Sequence, residues 1–357
     1  MTAPPIPFVR VEGDPFACGY QHGAARAEAL HAFIDDGLCR LNRVMPRPVS
    51  MAALRPVLAA YQDRIAAAAP ALDAEIRGLA RGAAIPVEQA LLLQVRREIM
   101  GYQRVPTMGD CTTYARTGTG HPVLAQTVDL NGNLDDQLCV LDVRRTGSSR
   151  RTVVLSFGGL LGYLGVNTEG LAVGLNLVLG GDWRPGLPPY LAIRHLLDTA
   201  STVDDALRVL RGLTLASSRS LMLCDPAKAA YVEILGDGLR VVEAREAVHT
   251  NHFLHPDFAP HDELNVFARN FSVLRLKTCQ ERLAGLPPEP RVEDHFGLLS
   301  TAPICVADDG DIRRERTVAA AVIRPDLGEL YVRRGNPSST RTEAFRPYRR
   351  SEQYADV

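Results

Sequence analysis

The feature that most limits how this 357-residue chain can fold is a change of rhythm near residue 105. Upstream, apolar residues recur at three- and four-residue steps. Met51, Leu54, Leu58, Tyr61 and Ile65 mark one helical stripe. Leu72, Ile76 and Leu79 repeat the step after Pro70, and Pro86 stands where a first helical turn tolerates it, ahead of residues 87–100. A further helix is expected at 23–41, and residues 8–11 alone look like a strand. Downstream the rhythm is that of short strands between Gly, Asn and Asp turns: 112–115, 122–128, 139–143, 152–157, then a hairpin of 164–167 and 171–177. Helices at 189–199, 203–211, 264–286 and 292–299 are interspersed with strands at 220–223, 230–235 and 239–242. Strands at 318–323 and 330–333 close the pattern. Runs of strands, then helices, then strands imply layered α+β packing rather than a parallel α/β sheet. The best boundary lies at 101–110, dividing a helical segment, 1–110, from a β-rich segment, 111–357.

Composition removes several function classes. Apolar residues make up 46% and charged residues 23%, enough for a large core. Forty basic side chains against 41 acidic give a formal charge of -1, so no field of one sign draws in nucleic acid or an anionic membrane. The apolar runs fall far short of a membrane span. Residues 1–14 lack a charged stretch followed by an apolar one, so a cytoplasmic location is expected. Abundant Ala and Arg with scarce Lys fit a GC-rich bacterial gene. Seven scattered cysteines, none in Cys-x-x-Cys spacing, fit reduced thiols better than disulfides or zinc. No Gly-x-Ser-x-Gly elbow, P-loop or dinucleotide fingerprint is present, and no cofactor is expected.

Gly109-Asp110-Cys111-Thr112-Thr113 opens the β-rich part. A thiol at the start of a buried strand, after a glycine-flanked turn, can approach the carbonyl carbon of its own preceding peptide bond. Attack on Asp110 gives a thioester by an N-to-S acyl shift, and water then releases the upstream segment. The new α-amine of Cys111, with an ordinary pKa of about 7.7–8.0, suits the base that a thiol nucleophile needs. Cysteine identity alone favours a buried structural thiol. The surrounding motifs point further.

Gly-Asp-Cys-Thr-Thr resembles the processing site of the isopenicillin N acyltransferase (acyl-CoA:6-aminopenicillanic acid acyltransferase) family of N-terminal-nucleophile hydrolases. Four further stretches resemble that family in its order: Gly19-Tyr20-Gln21-His22-Gly23, Ala125-Gln126-Thr127-Val128-Asp129, the hairpin at 165–173, and His249-Thr250-Asn251-His252-Phe253. The resemblance implies a four-layer αββα sandwich with Cys111 as both N-terminus and nucleophile. It implies that Asp129, eighteen residues on, contacts or orients the new α-amine, positioning rather than activating it. It implies that Asn251 offers its amide to the oxyanion. Asn176 is expected near the same site, as the analogous strand is in penicillin V acylases and bile-salt hydrolases. An arginine late in the chain is implied as well. Arg316 is the choice among Arg313, Arg314 and Arg316, against the alternative of a solvated charge run. The Gly19–Gly23 motif reads as structural, its glycines letting a helix start close to a neighbour, with His22 packed rather than catalytic.

The expected substrate is a small amide, a peptide-like molecule or an acyl-CoA, and the expected partner is the cleaved 1–110 chain. No nucleic acid or membrane is expected, and the sequence gives no oligomeric state. Trp183 and residues 180–189 form either an acyl-pocket wall or a surface loop. The ending Ala355-Asp356-Val357 lacks the peroxisomal tripeptide of fungal members, which argues against a role in penicillin biosynthesis. Two alternatives stand. One is a metal-dependent hydrolase using His249, His252 and His255, although Pro256 and Pro260 interrupt any helix that would align them. The other is an inactive scaffold of the same fold.

Overall fold

The computed structural model describes residues 4–101, 111–118 and 120–347. Its upstream part holds β1 (Phe8–Gly13), α1 (Pro15–Asp35), α2 (Leu41–Val44), α3 (Met51–Ala68), α4 (Pro70–Ala83) and α5 (Val87–Met100). Then follow β2 (Thr113–Arg116), β3 (Val123–Leu130), β4 (Leu138–Arg145), β5 (Arg151–Phe157), β6 (Leu164–Asn167) and β7 (Ala172–Asn176). Helices α6 (Pro189–Thr199) and α7 (Val203–Leu210) precede β8 (Arg219–Cys224), β9 (Ala229–Leu235), β10 (Gly238–Ala244) and β11 (Glu246–His249). Last come α8 (Val266–Ala284), α9 (Val292–Leu299), β12 (Arg316–Arg324), β13 (Glu329–Arg334) and β14 (Glu343–Phe345).

The strands form two sheets, ordered β1-β4-β5-β6-β7-β8-β9-β10 and β11-β2-β3-β12-β13-β14. All neighbours are antiparallel except β1 and β4. The sheets pack face to face through β2 on β8, β3 on β7 and β13 on β5. Helices α1, α6 and α7 cover the larger sheet, and α8 and α9 cover the smaller. This is the four-layer αββα sandwich, with both sheet interiors read as near-continuous apolar runs because each sheet is covered on two faces. No helix among the described residues is long and apolar enough to cross a membrane.

The expected stripe of α3 is buried at Leu54, Leu58, Tyr61 and Ile65. The expected helix at 23–41 instead begins at Pro15, capped by Asp14, whose side chain accepts from the Ala17 N–H at 2.8 Å. Gly19 and Gly23 therefore lie inside α1, not at its start. The reason is tertiary. A Cβ on Gly19 would lie 1.9 Å from the Glu75 carbonyl oxygen of α4, and one on Gly78 of α4 would lie 2.1 Å from the Phe16 carbonyl oxygen. Glycines on both helices let the two backbones touch, which outweighs glycine's low helix propensity. His22 is buried here with neither ring nitrogen hydrogen-bonded among the described residues, a packed residue as expected. Strands β11 and β14 were not expected from the sequence, and β11 bears directly on the site.

Candidate active site

Cys111 is buried two residues before β2. Its Sγ lies 3.5 Å from the Tyr163 hydroxyl, on the turn before β6. Its carbonyl oxygen accepts from Asn176 Nδ2 at 2.7 Å and from Arg275 Nη1 at 3.0 Å. Asn176 reaches it from the end of β7 because the two sheets are locked at this point. Gln126 Oε1 of β3 accepts the Leu175 N–H at 3.0 Å, and Thr113 Oγ1 donates to the Leu175 carbonyl at 3.3 Å. Asp110, the other half of the expected cleavage site, lies outside the described residues.

Strand β11 pairs with β2, His249 opposite Thr113, so the chain leaving β11 brings Asn251 to the start of β2, beside Cys111. Asn251 Oδ1 accepts from Arg275 Nη2 at 2.5 Å, its Nδ2 donates to the Leu177 carbonyl at 2.9 Å, and its N–H donates to Ser272 Oγ at 2.8 Å. Glu233 of β9 fixes the same loop. It accepts from His249 Nε2 at 2.8 Å and from the backbone of Leu254 and His255 at 2.5 and 3.0 Å. Burial pushes the Glu233 carboxyl up, but these hydrogen bonds and the His249 ring hold it below its ordinary value.

Asp129 is fully buried on β3. Its Oδ1 accepts from Thr317 Oγ1 at 2.6 Å and its Oδ2 from Thr127 Oγ1 at 3.1 Å. Thr127 Oγ1 in turn accepts the Thr112 N–H at 3.0 Å. The carboxylate is thus linked through one hydroxyl to the residue after Cys111.

Of the expected residues, Cys111, Asn176 and Asn251 meet in one hydrogen-bonded cluster, and Asp129 joins it through Thr127. Arg316 does not. It opens β12 opposite Leu130, one residue before Thr317, so its side chain takes the other face of the sheet. There it pairs with Asn133 at 3.0 Å and with Asp135. Arg313 and Arg314 are exposed and pair with Asp311 and Asp309, a solvated charge run. The arginine of the cluster is Arg275, which also donates to Thr112 Oγ1 at 3.0 Å. Sequence reading missed it, yet a signal exists. The buried stripe of α8 runs Ala268, Ser272, Arg275, Cys279, Leu283, placing two polar residues among small apolar ones. Exposed Val266, Phe267, Val273 and Leu274 elsewhere on the helix obscure that stripe.

The histidine cluster takes no metal-site form. His249 turns both ring nitrogens to protein oxygens, those of Glu233 and the Thr250 carbonyl, so neither faces an open ligand position. His252 faces Ser272 Oγ at 2.8 Å, and burial lowers its pKa to about 4. His255 accepts from the Asp257 N–H at 3.2 Å. Among the described residues no group of three His, Cys, Asp or Glu side chains could hold a metal ion.

Trp183 takes a third position, neither free loop nor pocket lining at Cys111. Its Nε1 donates to Ser218 Oγ at 3.1 Å, and its ring lies 5.0 Å from the Arg219 guanidinium carbon. It borders a separate groove shared with Leu54, Tyr61 and Met100.

Residues 116–339, more than half of the chain, match the family model "Acyl-coenzyme A:6-aminopenicillanic acid acyl-transferase". The acyl-coenzyme A:6-aminopenicillanic-acid-acyltransferase 40 kDa form of Emericella nidulans is 27% identical over 269 residues, covering 74% of each chain. Among solved structures, a penicillin V acylase from Agrobacterium tumefaciens is similar at 14% identity and a TM-score of 0.47, covering 66% of this chain and 86% of that one. A mutant of a conjugated bile acid hydrolase from Clostridium perfringens is similar at 12% identity and a TM-score of 0.44, covering 67% and 97%. The chain belongs to the acyl-coenzyme A:6-aminopenicillanic acid acyl-transferase family of enzymes.

Proposed function

We propose that this chain is a precursor that cuts its own Asp110–Cys111 bond, and that the 111–357 chain then hydrolyses amides or transfers acyl groups through a thioester on Cys111. In the first step Cys111 Sγ attacks the Asp110 carbonyl carbon. The C–N bond breaks, the thiol proton passes to the new α-amine, and water hydrolyses the thioester. In turnover that amine takes the thiol proton and the thiolate attacks the substrate carbonyl. The leaving amine or thiol departs with a proton, and water or an acceptor amine releases the acyl group. Asn251 and Asn176 supply amide dipoles for the oxyanion, and Asp129 orients the α-amine side of Cys111 through Thr127.

The observation that carries this reading is the convergence of Asn176 and Arg275 on the Cys111 carbonyl, with Arg275 also holding Asn251. Those contacts fix the backbone at the one residue whose position both reactions need. The named activity of the Emericella nidulans relative supports acyl thioesters and amides as the substrate classes. Residues 1–110 remain bound after the cut, because β1 extends the larger sheet and α1, α3, α4 and α5 bury their apolar stripes.

Intact-mass analysis under denaturing conditions tests the proposal. Wild type gives two masses, for 1–110 and 111–357, while Cys111→Ala gives one, and iodoacetamide labels Cys111 in the cut protein only. A single uncut wild-type chain whose Cys111 resists alkylation would sink the reading.

A further inference from the structure

Beside the nucleophile lies a cleft whose walls come from both sides of the proposed cut. Tyr163, in contact with Cys111 Sγ, is part of the wall, together with Phe157 and Tyr190. The rings brace one another: Tyr163 stacks on Tyr190 at 5.1 Å between centroids and meets Phe157 edge-on at 5.1 Å. The same cleft is lined by Arg96 and Arg97 of α5, and by Asn131 just after β3.

Each of these three carries a buried nitrogen with no hydrogen-bond partner among the described residues: Arg96 Nη2, Arg97 Nη2 and Asn131 Nδ2. Arg97 is 8% exposed and Asn131 4%. Arg96 uses its Nε on the Cys39 carbonyl at 2.7 Å, which aims the rest of the guanidinium. Arg97 is held with its guanidinium carbon 5.9 Å from the Trp183 ring. Glu315 shares the wall, so the lining carries two cations against one anion. A buried donor without a partner costs free energy, and a charged donor costs more than a neutral one. Three such donors lining one aromatic cleft are the arrangement that reads an anion, because charge-assisted hydrogen bonds offset that cost. Burial, with Arg97 adding to it, lowers the Arg96 pKa to about 10, which leaves it cationic at neutral pH.

We propose that this cleft binds a carboxylate of the substrate between Arg96, Arg97 and Asn131, with the apolar stem leading to the scissile bond packed against Phe157, Tyr163 and Tyr190. The upstream segment is then part of the substrate site, so the released chain stays necessary for recognition as well as for folding. Calling the ligand a substrate rests on the acyl-Cys111 reading above; the anion site itself does not.

The first test needs no turnover. Calorimetric titration of the purified full-length protein with 4-phenylbutyrate and with 4-phenylbutanol compares an anion with its neutral counterpart on one apolar stem. The acid is expected to bind at least about 10-fold more tightly. In Arg97→Met the ratio falls to near 1, while Arg97→Lys keeps part of it. Equal binding of acid and alcohol to wild type overturns the proposal without recourse to any variant, and so does a preference that survives both Arg97→Met and Arg96→Met. The second test asks which side of the bond carries the charge. Glutaryl-p-nitroanilide bears its carboxylate on the acyl side and N-phenylacetyl-3-aminobenzoate on the amine side, each compared with its methyl ester. On the favoured side Arg97→Met raises KM about 10- to 100-fold and changes kcat little. If the acid binds selectively but no substrate is cleaved and Cys111 is never acylated, the acyl-Cys111 reading fails while the anion site stands.

Discussion

Two fully buried arginines, Arg194 and Arg275, show how differently one residue type can be used in a single core. Arg194 of α6 lies among carboxylates. It pairs with Glu75 of α4 at 3.2 Å and with Asp198 at 2.9 Å, and Arg145 of β4 closes the group on both acids. Burial would push the Asp198 carboxyl up, but Arg194 and Arg145 hold it below the ordinary range. This network ties α4, upstream of the proposed cut, to elements downstream of it. Arg275 instead reaches neutral oxygens on Cys111, Thr112 and Asn251. The first arginine joins two layers; the second holds the Cys111 carbonyl and the Asn251 amide together.

The largest effect is expected from Arg194→Met. Glu75 and Asp198 would be left buried with Arg145 as their remaining cation, costing about 3–5 kcal/mol of stability, read as a drop in denaturation midpoint. Whatever protein stays folded should keep its Cys111 alkylation rate. Arg275→Met should show the converse, a melting temperature near wild type with self-cleavage and acylation slowed about 10²- to 10³-fold, timed by mass spectrometry. If both variants lose only stability, the distinction between the two arginines collapses.

The helix crossing beside Glu75 gives a smaller effect. Gly78→Ala forces a Cβ against the Phe16 carbonyl and should cost about 1–3 kcal/mol by chemical denaturation, without altering the rate of the cut.

Acidification sharpens the contrast with the smallest change. Burial and the nearby charge of Arg194 lower the His22 pKa to about 3; burial, His249, Arg269 and Arg275 lower that of His252 to about 4. An imidazole with a depressed folded-state pKa stabilises fully above its unfolded value of about 6.5, and that contribution is lost as pH falls below it. At pH 5 each should cost about 1–2 kcal/mol relative to pH 7. His22→Phe should flatten part of the pH slope of stability and spare the cut; His252→Phe should flatten a similar part and slow it. Unchanged slopes in both variants would mean that neither ring is buried neutral.

Much of this molecule was legible from local pattern. The stripe of α3, the hairpin of β6 and β7 and the closing pair β12–β13 follow from periodicity and turn residues, which report on the nearest few positions. The helix start at Pro15 was not, because Gly19 and Gly23 read as marking a helix start close to a neighbour until Gly78 and Gly82 of α4 are seen packed against the middle of α1. Arg275 was hidden for a similar reason. Its partners lie 24 and 164 residues away in sequence, and nothing near position 275 records them.

Local pattern was enough for the layered α+β class and for the place of the strand that begins after Cys111, whereas Asp129, Asn176 and Asn251 were reached through the resemblance of their motifs to a known family. The first two depend on short-range spacing, which reports on the nearest few positions. Long-range packing was needed to bring Arg275 rather than Arg316 to Cys111, to carry Asn251 there from β11, and to line the cleft beside Tyr163 with Arg96 and Arg97. Those choices are set by which sheet face and which neighbouring layer a side chain meets, and strand pairing across distant segments fixes both.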